Sequence, residues 1–279
     1  YQICILGSLL AYGTLTLHFE VSLLQASVTL ASVIAFQALF TYGVRIPHYE
    51  FKSALISGLS LCLLLRANSL SLLILASGLA IASKFLLRCN GKHVFNPTNF
   101  GIGATVLFTG QAWVSPGQWG SGVLFALFIL CCGWTVVQRA ERSDVTLTFL
   151  LAYPGLFFAR ALWLGDPWTI PLHQLSNGAL LIFTFFMISD PKTTPDSRTG
   201  RILFAIMVAC LAYLLRFKLY HPNALIFSLL ACSVFVPILD RYFAGIQFNW
   251  VGNGHKPENS FGHRFPIAMM IDQTEKPIP

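Results

Sequence analysis

Long apolar runs fill nearly all of this chain, and they leave it few ways to fold. Ten segments can be cut from it, at about 1–19, 21–44, 53–65, 69–87, 100–113, 121–137, 145–164, 174–189, 202–217 and 223–239. A spanning helix needs roughly 20 apolar residues. The runs are continuous and do not alternate, so helices are expected and not a barrel, because a helix satisfies its own backbone polar groups in lipid. With 55% hydrophobic and only 10% charged residues, the composition is far from that of a soluble domain. The expectation is an all-α polytopic membrane protein with one membrane domain over 1–241. The polar, proline-containing stretch 242–279 would be a surface extension, and the Gly252-Asn253-Gly254-His255 string in it is turn-prone.

Charge placement predicts the topology. Arg45, Lys52, Lys84, Arg88, Lys92, Arg139, Arg142, Lys192, Arg198 and Arg201, with Arg241, Lys256, Arg264 and Lys276 in the tail, fall on one side. Arg66, Arg160, Arg216 and Lys218 fall on the other. By the positive-inside rule, both termini lie in the cytoplasm, and a bacterial inner membrane is the expected location. The net charge of +7 is accounted for by topology and anionic headgroups, so the bilayer is the expected partner and nucleic acid is not. No cleavable leader is expected, since the first apolar run lacks a basic start. The seven cysteines show no C-x-x-C spacing, and no two histidines fall at i, i+3 or i, i+4 within a span. A metal or haem site within the chain is therefore not expected. No Walker loop, dinucleotide fingerprint or nucleophile elbow is present.

Two polar patches stand directly against the spans: Lys92-His93-Val94-Phe95-Asn96-Pro97-Thr98-Asn99-Phe100 and Ser189-Asp190-Pro191-Lys192-Thr193-Thr194-Pro195. Polar sequence at that depth is costly unless it lines a buried or hydrated cavity. A helix opening at Pro97-Thr98-Asn99 would present bare N–H groups, suited to a phosphate or a ring carbonyl. Asn96 and Asn99 could read the donor–acceptor edge of a flavin or quinone, with Phe95 and Phe100 against the ring. Equally, Asn96 and Thr98 could simply cap a span that the aromatics anchor. Asp190, Thr193 and Thr194 could hold flavin N–H groups or hydroxyls, or Asp190 could form an Asx turn before Pro191 with Lys192 or Arg198 as its ion partner. Asp240 is expected to pair with Arg241 at a helix end. His93 and His221 sit at related ends of the two halves, with interfacial hydrogen bonds as their expected role. Asn96, Asn99, Asp190 and Thr193 are expected to converge on one cytoplasm-facing pocket.

The chain also carries an internal echo. Leu86-Leu87-Arg88 precedes Phe95-Asn96-Pro97 at the fifth segment, and Leu214-Leu215-Arg216 precedes Tyr220-His221-Pro222-Asn223 at the tenth. Five segments separate the copies, and an odd number inverts the second, giving repeats of roughly 1–115 and 116–241. The third segment, ending Leu65-Arg66-Ala67-Asn68, then corresponds to the eighth, ending Ser189-Asp190-Pro191. Interrupted spans at matching places in inverted halves point to a central ligand site.

Over roughly residues 50–241, these motifs resemble a known family. They are His93-Val94-Phe95-Asn96-Pro97, Phe185-Phe186-Met187-Ile188-Ser189-Asp190-Pro191 with His173 upstream, and Leu214-Leu215-Arg216 leading to Pro237-Ile238-Leu239-Asp240. The family is that of the D subunit of the Rnf electron-transport complex and its relative, the B subunit of the sodium-pumping NADH:quinone reductase. The resemblance implies a urea-channel-like fold of ten helices in two inverted five-helix repeats, a flavin (FMN or riboflavin), and partner subunits in an ion-coupled electron-transfer complex. It points to His93, Asn96, Pro97, Thr98, Asn99, Phe100, Asp190, Thr193 and Thr194 as cofactor-binding residues, with a quinone as the other ligand to consider. Covalently flavinylated members carry a Ser/Thr-Gly-Ala-Thr acceptor on a long segment between the two patches. Here that segment is short, and the nearest string, Gly101-Ile102-Gly103-Ala104-Thr105, lacks the first hydroxyl. The expected flavin is therefore non-covalent, and the string is suited to close helix packing. Two other readings stay open: a transporter or channel for a small polar or flavin-like solute, and a cofactor-free structural component of a larger assembly.

Overall fold

The computed structural model describes residues 1–17, 19–44, 51–115 and 123–248, with backbone alone over 123–128. His18, Arg45, His48, His255, His263, the other basic tail residues beyond 248 and most of the predicted extension lie outside the described residues.

Each predicted segment is helical, with ends displaced for local chemical reasons. The first half contains α1 (Gln2–Leu15), α2 (Leu23–Gly43), α3 (Phe51–Leu64), α4 (Leu70–Leu86) and α5 (Pro97–Thr109). The second contains α6 (Val123–Arg139), α7 (Ser143–Leu164), α8 (Thr169–Leu175), α9 (Gly178–Ile182) running into a π-helical turn at Phe183–Met187, α10 (Arg198–Phe217), α11 (Ala224–Ser233) and α12 (Val236–Tyr242). Among the described residues, α2, α7 and α10 are long and apolar enough to cross a membrane alone. The pairs α8 with α9 and its π turn, and α11 with α12, qualify together but are bent by 59° and 46°. The predicted eighth and tenth spans are therefore each broken, the tenth just before Pro237.

Short strands interrupt the predicted all-helical picture. β1 (Leu65–Ala67) pairs antiparallel with β4 (Ala112–Val114), placing Arg66 opposite Trp113. β2 (Arg88–Cys89) pairs with β3 (Lys92–His93) across Asn90-Gly91, both at positive φ (51° and 79°), as a tight two-residue hairpin turn requires. Because α4 runs from β1 to β2 and α5 runs back to β4, the two ribbons sit at opposite ends of this helix pair. Seventeen residues of α4 separate them by roughly 25 Å at about 1.5 Å per residue.

The packing of α4 on α5 depends on small residues. A Cβ on Gly101 would lie 2.6 Å from the Ala76 carbonyl oxygen and 2.8 Å from the Ala80 Cβ, so the backbones approach as only glycine allows. Thr105 is fully buried in α5 and donates to the Gly101 carbonyl at 2.7 Å, in keeping with the packing reading of this string. α2 lies against α3 and α4, α7 against α10, and α10 against α11, while α5 contacts α11 across the halves. Between α7 and α10, Phe149, Tyr153, Phe157, Tyr213 and Phe217 form an aromatic ladder with successive centroids 4.8–6.4 Å apart.

Candidate functional site

The two polar patches, 94 residues apart in the chain, meet in direct contact. Asn96 is the N-cap of α5: its Oδ1 accepts from the Asn99 backbone N–H at 3.0 Å, and Pro97 occupies the first helical position, where its missing N–H costs nothing. The other end of the same amide, Nδ2, donates to Asp190 Oδ2 at 3.2 Å. One side chain thus closes a helix terminus and ties the two halves together. Asn99, fully buried, adds a second tie through Nδ2 to the Ile226 carbonyl of α11 at 3.2 Å.

On the second patch, Asp190 Oδ1 accepts from the Lys192 N–H at 3.0 Å, the expected Asx turn around Pro191. The Thr193 and Thr194 hydroxyls, both buried, donate to the Asp190 carbonyl at 3.3 and 3.1 Å. Arg142, at the entry to α7, donates from Nε to the Thr194 hydroxyl at 2.9 Å. Asp190 is partly buried. Burial pushes the carboxyl above the ordinary carboxylate range, against the pull of the Lys192 N–H, the Lys192 charge, the Asn96 amide and Arg142.

Asn96 and Asp190 therefore converge in direct contact, with Asn99 bonded to the Asn96 cap and Thr193 to the Asp190 carbonyl. Their polar atoms bond one another or nearby backbone, with Asn99 Oδ1 the exception: it is buried and has no hydrogen-bond partner. Phe95 and Phe100 pack on each other, centroids 5.2 Å apart, while Pro97 and Thr98 are buried in the first turn of α5. His221 lies exposed with its ring edge-on to Phe227 at 4.9 Å.

A cavity of about 190 Å³ opens beside the junction, lined by the β2–β3 hairpin (Cys89, Asn90, Lys92, His93, Val94), by Asp196, by Val236, Pro237 and Asp240 of α12, and by Gln247. Lys92, its side chain 9% exposed, reaches both Asp196 and Asp240 at 2.8 Å, and the Asp196 N–H donates to Asp240 Oδ1 at 2.8 Å. The expected Asp240–Arg241 pair is thus corrected. A one-residue step along a short helix turns the two side chains apart by about 100°, whereas the hairpin delivers Lys92 to the Asp240 carboxylate. Next to this triad, Arg201 clasps Asp144 with Nε at 2.8–2.9 Å and Nη2 at 2.6 Å, joining α10 to α7. Only the residue types hinted at these pairs; the pairing itself spans 104 and 148 residues for Lys92.

Volume and donor set test whether a flavin fits. Small-molecule sites typically enclose roughly 300–1,000 Å³, so this cavity is short of a whole flavin. Its lining offers polar side chains for one edge of such a ring only.

Comparison with known proteins gives this geometry a family. The sequence model of the NQR2, RnfD, RnfE family matches residues 96–249, from the Asn96 cap through Asp190, Asp196 and Asp240. The chain is similar to the D subunit of the ion-translocating oxidoreductase complex of Erwinia tasmaniensis, with 30% identity over 148 residues, covering 52% of this chain and 38% of the relative. The protein of that name from Klebsiella pneumoniae is 30% identical over 142 residues (50% and 37%), and that from Escherichia coli 29% over 135 (48% and 35%). The matches thus span well under half the length of these relatives. With more than half of its residues matched, the chain belongs to the NQR2, RnfD, RnfE family.

Proposed function

We propose that this chain is a membrane component of an ion-translocating electron-transfer complex, of the kind its relatives' names describe, and that its partners are the other membrane subunits of that complex. The observation that carries this reading is the Asn96–Asp190 junction, which lies inside the family-matched region and abuts a polar cavity at one end of the α4–α5 pair. Two inverted five-element repeats would explain the matching packing order, α2 on α4 on α5 and α7 on α10 on α11, although the third element is broken in the second half and continuous (α3) in the first. Basic-residue counting favours a cytoplasmic junction end, and the bacterial relatives favour an inner membrane.

A flavin in this protein would be non-covalent, held by one edge against the Lys92–Asp196–Asp240 cavity and completed by a partner, and a quinone head group would occupy the same place. Flavin or quinone supplies the electron-carrying chemistry when bound. The chain's own residues orient it: Lys92 holds two carboxylates in fixed positions, and His93 and Asn90 stand on a rigid hairpin beside them. The test is purification of the native complex, followed by flavin fluorescence, quinone extraction and mass spectrometry, with a Lys92→Met variant in parallel. A cofactor retained by the wild-type complex and lost from the variant supports the reading. Absence of both cofactors from the intact complex refutes it.

One observation favours a second reading, a cofactor-free structural role. Asn96, Asp190, Thr193 and Thr194 satisfy one another, as a purely structural lock would. A complex that keeps full electron transfer with no flavin or quinone in this chain would select it.

A further inference from the structure

At the opposite end of α4–α5 from the junction, Arg66 is held in an arrangement that calls for a negative charge. It lies on β1 just after α3 and is only 5% exposed. Its Nη1 donates to the Cys62 and Leu65 carbonyls at 2.9 Å each, and the Phe19 ring sits 5.9 Å from the guanidinium carbon, so the plane of the group is pinned. Nε and Nη2 are both buried without an acceptor. A guanidinium does not shed its proton in proteins, so the charge stays, and leaving two of its three nitrogens buried without acceptors is costly. Glu20 acts on it electrostatically from an exposed position.

Arg66 lines a small cavity together with Gln25, Thr29 and Cys62 among apolar neighbours. Most hydrogen-bonding groups there are already engaged once. Gln25 Oε1 accepts from the Ser22 N–H at 3.0 Å in the capping box of α2, which leaves the Gln25 amide NH₂ as a donor. The Thr29 hydroxyl donates back to the Gln25 carbonyl at 2.8 Å, and the Cys62 thiol points at the Ala26 carbonyl at 3.9 Å. What remains is two guanidinium donors, an amide donor and the lone pairs of the Thr29 hydroxyl, so donors outnumber acceptors around a space with room for roughly one water-sized particle.

We propose that this cavity binds a single small monovalent anion of halide size, coordinated by Arg66 Nε and Nη2 and the Gln25 amide. Water would satisfy the geometry but bring no negative charge, with Glu20 acting only from an exposed position, and a phosphate or carboxylate exceeds the space. The site is separate from the junction and does not depend on a redox role.

The full chain, purified in detergent with gluconate as the sole anion, is titrated with sodium bromide while its unfolding midpoint is recorded. The expected result is a saturable rise in midpoint that sodium sulfate does not reproduce. A bromide anomalous peak should lie at hydrogen-bond distance from Arg66 in crystals grown with bromide. Gln25→Glu keeps the Ser-x-x-Glu capping box and puts a carboxylate oxygen where the amide donor stood, which repels an anion and compensates Arg66, so it should fold, start at a higher midpoint and lose the bromide response. Arg66→Gln should lose the response as well. The proposal is overturned if wild type shows no saturable response, if Gln25→Glu responds as wild type does, or if the site holds only water at saturating bromide.

Discussion

Replacing Asn96 should separate the two tasks its amide performs. Asn96→Ala removes the cap on the buried Asn99 N–H, which costs about 0.5–2 kcal/mol, and strips Asp190 of its cross-half donor, about 1–3 kcal/mol for a buried group left unsatisfied. Together these give a loss of roughly 2–4 kcal/mol, since two bonds from one side chain do not add fully. Asn96→Ser keeps a good capping hydroxyl but is too short to reach Asp190, so it should lose only the second part. The assay is equilibrium unfolding in mixed micelles, with Asp190→Ala and the double variant completing a thermodynamic cycle. If Asn96→Ser is as stable as wild type, or the Asn96–Asp190 coupling is below about 0.5 kcal/mol, the junction does not tie the halves together and the reasoning fails.

Lys92→Met leaves Asp196 and Asp240 facing each other without their cation and should cost about 3–5 kcal/mol by the same assay. Asp240→Asn should cost clearly less, because Lys92 keeps Asp196. Gly101→Ala drives a methyl into the Ala76 carbonyl and should cost about 1–3 kcal/mol, while Gly7→Ala, with open space at that position, should be neutral or gain up to roughly 1 kcal/mol in a thermal-unfolding comparison. Burial raises the Asp190 carboxyl above its unfolded value of about 3.9, so its contribution to stability is present below that value and is lost as pH rises through the folded one. The stability of Asp190→Asn relative to wild type should therefore be most favourable at neutral pH and should fall on acidification, as read from unfolding midpoints of both proteins across that range.

The parts of this molecule that local chemistry dictates could be read from the chain. Asn96-Pro97 announces a capped helix start, and Asp190-Pro191 an Asx turn, because each depends on residues within three positions of itself. The apolar runs marked the helical segments apart from α8, which begins before the eighth run, since burial in lipid demands them. The breaks were harder to read: β1 to β4 are two or three residues long, too short to show alternation. The π turn at Phe183–Met187 has no compositional mark distinguishing it from an apolar α-helix. Lys92 with Asp196 and Asp240 escaped for another reason. An ion pair is decided by where a hairpin is delivered in space, and adjacency in sequence suggested Arg241 instead.

That π turn sets an angle. A helix advances about 100° per residue, and a π turn accommodates one residue more than an α turn over nearly the same rise. Phe183, Phe185 and Met187 stay packed inside, with Phe185 pressed on Gly133 of α6, while the chain leaving Met187 is turned by about one residue's step relative to a regular helix. Deleting one residue here would restore α-helical register without disturbing composition or length in any obvious way. Yet it would swing the Asp190 carboxyl off the axis of the Asn96 amide, as a key cut to the right depth fails when its blade is rotated. Angular phase, carried by a single extra residue in an apolar helix, decides whether the two halves of the molecule latch.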